Sequence, residues 1–158
     1  MIGVVVHLED RWNYVQSDRD IDIMQMFQET ISAFGADTFI IVDKSTDGMV
    51  HTSYRLDLSQ VVFETLDEVL RAYPDATKLY FEHTNAIPDE INYTTLNELV
   101  HPEDNVLYIF GGDEHGLNLA NINLTGDNKI VSILVPKQIL WTIVAMTIAL
   151  YDRLKKVG

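Results

Sequence analysis

Apolar and polar positions along this chain switch between two periods. Short β-branched or aromatic runs cover Gly3–Leu8, Thr38–Val42, Val61–Phe63, Lys78–Glu82, Leu107–Phe110 and Ile130–Val135. Runs of this length and composition read as buried strands. Between them, Ile21, Met24, Phe27, Ile31 and Phe34 recur at helical spacing. Asp18 or Asp20 is placed to cap that helix and Gly35 to end it. Thr65-Leu66-Asp67-Glu68 has capping-box spacing and predicts a helix through Leu70 and Tyr73, stopped by Pro74. Thr95-Leu96-Asn97-Glu98 has the same spacing and predicts a second short helix before Pro102. Asp43 to Thr52 reads as a loop with a turn at Asp47-Gly48. Ile139 to Leu154 reads as a long apolar helix that closes the chain.

Strands and helices therefore alternate with short connections across residues 1–158, without a repeat or a linker. The pattern predicts one α/β domain: a parallel sheet with helices on both faces. It also puts two polar turns at the carboxyl ends of strands. One is Gly111-Gly112-Asp113-Glu114-His115-Gly116-Leu117, after the 107–110 run, and the other starts at Pro136. That edge is where ligands bind in open α/β sheets.

Composition narrows the function classes. There is no cysteine, so disulfides and thiolate metal sites are excluded, and nothing points to secretion. The first residues, Met1 to Val6, lack the basic segment of a signal peptide and read as a first strand. A cytoplasmic protein is expected. The longest apolar stretch, Ile139 to Tyr151, contains Thr142 and Thr147 and falls short of the roughly 20 residues that span a bilayer. It reads as a core or interface helix. The net charge is −13, and residues 1–100 hold 18 acids against 6 bases, while residues 101–158 hold 6 against 5. A chain so charged repels nucleic acid at long range, so RNA is disfavoured as an unaided tight ligand. The segment that carries the two turns is nearly neutral by contrast.

Gly111-Gly112 after a strand lets backbone N–H groups approach a ligand closely, and Gly116 can take a positive φ. An ordinary strand-to-helix turn has the same composition. Neither a P-loop nor a Gly-x-Gly-x-x-Gly dinucleotide pattern is present. His7, Glu9 and Asp10, and separately His101, Glu103 and Asp104, could supply metal ligands, but neither group has a closed ligand spacing.

Taken with Ile133-Leu134-Val135-Pro136 and the helix after it, the glycine turn resembles the SPOUT methyltransferases, in particular the minimal single-domain SpoU-like RNA 2′-O-ribose methyltransferases. Those proteins carry an apolar strand and Gly-x-Glu-x-x-Gly-Leu, then a strand ending Ile-Pro-Met, then an aliphatic helix opened by Ser-Leu-Asn. The counterparts are Phe110 to Leu117, Ile133 to Lys137, and Ile139 to Asp152. The likeness is strongest over residues 105–154. It implies a doubly wound, mostly parallel α/β sheet whose last helix is threaded into a trefoil knot. It also implies S-adenosylmethionine (AdoMet) as cofactor, held by Gly111, Asp113, Gly116, Ile133, Val135 and Pro136, with His83 and Thr84 as further contacts. A homodimer through residues 21–34 and 139–154 is implied as well.

The sequence departs from that family where catalysis is concerned. The arginine of the family's first helix falls on Glu29, and its Asn-rich turn falls near Ile23 to Met26. The Ser-Leu-Asn opening becomes Ile139-Leu140-Trp141. Arg11 and Arg19, in the loop after the first strand, and His115, in the glycine turn, are the nearest replacements; a histidine suits proton transfer near neutral pH. Two readings stay open: an AdoMet-dependent RNA methyltransferase, and a degenerate dimer that binds AdoMet or a partner without methyl transfer.

Overall fold

The computed structural model describes residues 1–8, 18–44, 55–112, 116–135 and 140–158, with only the backbone described for residues 18–23. Among the described residues seven strands form one sheet: β1 (Ile2–His7), β2 (Thr38–Val42), β3 (Ser59–Phe63), β4 (Thr77–Phe81), β5 (Thr94–Thr95), β6 (Val106–Phe110) and β7 (Lys129–Ser132). Their order is β3-β2-β1-β6-β4-β7-β5, and every pairing is parallel. The chain winds outward from β1 through β2 to β3, then crosses to the other half of the sheet. β6 returns to lie between β1 and β4.

Side chains that alternate along the strands feed two cores. Val4 and Val6, Phe39 and Ile41, Tyr108 and Phe110 face α1 (Asp18–Ala33) and α3 (Thr142–Val157). Val5, Ile40, Leu107 and Ile109 face α2 (Leu66–Ala72) and the segment around Leu117 and Leu119. Both faces are thus covered, which explains why the strands are continuous apolar runs and not alternating ones.

The local signals behave as physical devices. α1 ends in a Schellman motif: Ala36 N–H donates to Ile31 C=O and Gly35 N–H to Ser32 C=O, with Gly35 at φ +80°. Thr65 caps α2 in a complete capping box with Glu68.

The second box does not open a helix. Thr94 and Thr95 are extended and pair with Val131 and Ser132 of β7. Thr95 still bonds Glu98 through its hydroxyl, but only one turn follows. Lys156 of α3 takes the Leu96, Asn97 and Leu99 carbonyls that a longer helix would have needed.

α3 runs three residues later than its apolar stretch. Trp141 is extended, with ψ 148°, and the polar last turn with Lys155 and Lys156 stays helical. Cations there suit the negative end of the helix dipole. α1 and α3 lie side by side, with Phe34 edge-on to Tyr151. α3 is not buried all round: Met146, Ala149 and Leu150 face the core, while Trp141, Val144, Ile148, Tyr151 and Leu154 are exposed. Segments 113–115 and 136–139, on which a knotted path depends, lie outside the described residues. No helix among the described residues is long and apolar enough to cross a membrane.

Candidate functional site

The carboxyl ends of β4, β6 and β7 enclose a cavity of about 150 Å³ against the start of α3. β4 contributes Phe81, Glu82 and His83; β6 contributes Phe110 and then Gly111 and Gly112. Ile133 and Val135 after β7, and Leu140, Thr142 and Ala145 at α3, close the wall. Parallel strands bring their carboxyl ends to one edge, so segments distant in sequence converge there. Phe81 and Phe110 stack at 4.7 Å between ring centroids and form an apolar floor.

Side chains stitch the walls together. The Glu82 carboxylate accepts from Leu117 N–H at 2.8 Å and from His83 N–H at 3.0 Å, which fixes the end of the glycine turn to β4. His83 Nδ1 accepts from Asn85 N–H at 3.1 Å, leaving Nε2 to donate to the Val135 carbonyl at 3.3 Å. The Thr142 hydroxyl donates to the Gly111 carbonyl at 2.9 Å. The glycine turn is therefore held at both ends, by Thr142 and Glu82, and the turn after β7 is held by His83.

Of the residues picked from sequence, His83, Gly111, Gly116, Ile133 and Val135 line this cavity. Thr84 does not: it opens a 3-10 turn, Thr84–Ala86, which carries Ala86 to the wall in its place. Arg11, Asp113, His115 and Pro136 lie outside the described residues. Arg19 falls within the first turn of α1, not in a loop, and its side chain is also outside them. At Gly116 a Cβ would overlap the Glu82 carboxylate, which would have to shift.

Glu82 and Thr142 were missed in the sequence. Their signals are a carboxylate that ends an apolar strand and a hydroxyl inside an apolar helix. Glu29, which the resemblance matches to the family's arginine, pairs with Arg55 at 2.8 Å on the outer side of α1. Arg55 also takes both oxygens of Asp57 at 2.9 Å.

Two of the metal candidates, His101 and Asp104, are engaged by other protein groups. His101 is buried between the Tyr108 hydroxyl at 2.7 Å and Asp152 at 2.8 Å. Asp104 pairs with the Met1 ammonium. Glu9 and Asp10 lie outside the described residues, and no cluster of three metal-ligating side chains occurs among the described residues.

No family model matches the chain, and no curated protein matches it in sequence. Solved structures do match in fold. A protein of Bacillus anthracis named as an RNA methyltransferase superposes with a TM-score of 0.67 at 13% identity, over 99% of this chain and 94% of its own. An AdoMet-bound rRNA methyltransferase from Sinorhizobium meliloti gives 0.63 at 14% identity, over 99% of this chain and 57% of that one. An RNA 2′-O ribose methyltransferase gives 0.60 at 18% identity, over 99% and 56%. The chain has the SPOUT-type α/β fold of the SpoU/TrmH methyltransferases. At these identities the likeness is one of fold.

Proposed function

We propose that this chain binds AdoMet in the cavity at the ends of β4, β6 and β7 and acts as an RNA methyltransferase of the SpoU type, with a ribose 2′-hydroxyl as acceptor. The observation that carries this reading is the cavity itself, built from the glycine turn and the β7–α3 turn, in a fold shared with an AdoMet-bound rRNA methyltransferase. The residues present fit the cofactor. Apolar walls suit an adenine ring, and Gly111 and Gly112 leave backbone groups open to read its edge. When bound, AdoMet supplies an electrophilic methyl group. The chain's part is to hold the acceptor hydroxyl in line and take up its proton. The same reading includes a trefoil knot in which α3 is threaded past the glycine turn.

It also includes a homodimer. The exposed apolar residues of α3 recur every three or four positions and form one stripe beside α1. A second copy covering this stripe would remove it from water.

One observation favours the second reading, a binder without methyl transfer. Glu29 stands at the arginine position and is neutralised by Arg55, which two carboxylates hold. A carboxylate cannot donate hydrogen bonds to a phosphate or a developing oxyanion.

Calorimetric titration with AdoMet, followed by transfer from methyl-labelled AdoMet to cellular RNA and nucleoside analysis, tests both. Label in 2′-O-methyl nucleosides is the expected outcome. Binding without transfer supports the second reading, and absence of binding contradicts both.

A further inference from the structure

Glu82 is the one formally charged side chain among the described residues that line the cavity. The wall around it is apolar: Phe81, Phe110, Ile133, Val135, Leu140 and Ala145. His83, the other ionisable group there, has both ring nitrogens engaged, by Asn85 N–H and the Val135 carbonyl. The Glu82 carboxylate accepts one backbone N–H on each oxygen, from His83 and Leu117. Each oxygen can accept a second bond, so the group is held in place with capacity left for a ligand. A carboxylate at an apolar wall rewards a ligand that brings a positive charge, because low-dielectric surroundings strengthen the attraction.

We propose that Glu82 makes the cavity selective for a cationic ligand, recognising the positive charge of AdoMet and disfavouring neutral adenosine thioethers. This rests on the reading of the cavity as the AdoMet site. AdoMet has two positive centres, the sulfonium and the α-ammonium, offset by one carboxylate, and both lie beyond the ribose from the adenine. Glu82 is a specificity residue with a second duty, since its bond to Leu117 N–H positions the glycine turn. Glu82→Gln removes the charge while its amide oxygen still accepts from Leu117; its NH2 then faces the His83 N–H, so the uncharged ligand 5′-methylthioadenosine separates lost charge from a disturbed turn.

The test is calorimetric titration of the full-length parent and Glu82→Gln with AdoMet, S-adenosylhomocysteine and 5′-methylthioadenosine, with circular dichroism to verify the fold. 5′-Methylthioadenosine has neither positive centre, and S-adenosylhomocysteine keeps the ammonium, beside its carboxylate, but not the sulfonium. The expected result is a loss of about tenfold or more in AdoMet affinity in the variant, with 5′-methylthioadenosine changed less than about twofold. Loss for AdoMet alone assigns the sulfonium as the recognised centre; loss for AdoMet and S-adenosylhomocysteine together assigns the ammonium. Equal losses for all three ligands would overturn the proposal and leave Glu82 a positioning residue. Unchanged AdoMet affinity would overturn it as well. If the folded parent binds none of the three, both this proposal and the AdoMet reading fail.

Discussion

The Thr142 hydroxyl donates a hydrogen bond to the Gly111 carbonyl at 2.9 Å, fastening the first turn of α3 to the first residue of the glycine turn. Both residues line the cavity, and Thr142 is buried. Thr142→Val keeps the shape of the side chain and removes the donor. An acceptor deprived of a buried donor costs about 1–2 kcal/mol. The expected outcome is a drop of that size in stability by urea denaturation, together with weaker AdoMet binding. Thr147→Val is the control, because its hydroxyl bonds Ile143 C=O within its own helix at 2.7 Å, away from the turn. It should change binding little.

Gly116 and Glu82 are coupled by space. Gly116→Ala places a methyl group against the Glu82 carboxylate, which must move and give up the Leu117 bond. The expected outcome is reduced AdoMet affinity and reduced stability. Glu82→Ala removes the obstacle, so the double variant should be less impaired than the sum of the two single changes. The non-additivity is read from a double-mutant cycle, where residues in contact give about 0.5–3 kcal/mol of coupling. Strict additivity would contradict the geometry.

His101 predicts a pH dependence of stability. Burial holds its imidazole below the ordinary histidine value, against the pull of Asp152; the Lys156 and Arg153 charges push in the same direction as burial. The neutral ring satisfies its surroundings, with Tyr108 O–H donating to Nδ1 and Nε2–H donating to Asp152. The unfolded chain takes up this proton at higher pH than the folded one, so it binds more protons in between, and stability falls as pH drops. The contribution is fully present above about pH 6.5 and is lost as pH falls through the folded value. Asp152 acts in a lower window. Burial opposes its ionisation, but its bonds to His101 and Lys156 hold its carboxyl below the ordinary value. Denaturation midpoints should therefore decline between about pH 7 and 5 in the parent, and His101→Gln should be less stable at pH 7 but flatter over that range.

Much of this was legible in the chain. The second strand, Thr38–Val42, was read to the residue, because a buried parallel strand is a bare apolar run with turn residues on both sides. Gly35 was placed correctly because only a left-handed residue completes the Schellman turn. The bounds of α3 were not, since the apolar pattern tracks burial while helicity continues through Lys155 and Lys156. At Thr95-Leu96-Asn97-Glu98 a local capping signal lost to tertiary pairing with β7, which no short window of sequence contains. His83, Gly111, Ile133 and Val135, which the family resemblance supplied, line one cavity because turns after parallel strands converge on one edge. Glu82 was not, because its role depends on Leu117, 35 residues away, whose amide it holds.

The stripe on α3 predicts the assembly state. Ile148 lies at its centre and is 37% exposed. Ile148→Glu should leave the fold intact by circular dichroism and convert a dimer into a monomer in light scattering at micromolar concentration. A parent that is itself monomeric there would contradict the dimer.

The central claim is that the cavity beside Gly111 is the AdoMet site, and titration of the parent and Gly111→Val with AdoMet tests it most directly. Gly111 is among the residues that line this space of about 150 Å³. The account predicts saturable binding to the parent and a loss of about tenfold or more in the variant, with the denaturation midpoint little changed. Undiminished affinity in Gly111→Val, or no binding to the folded parent, would contradict it.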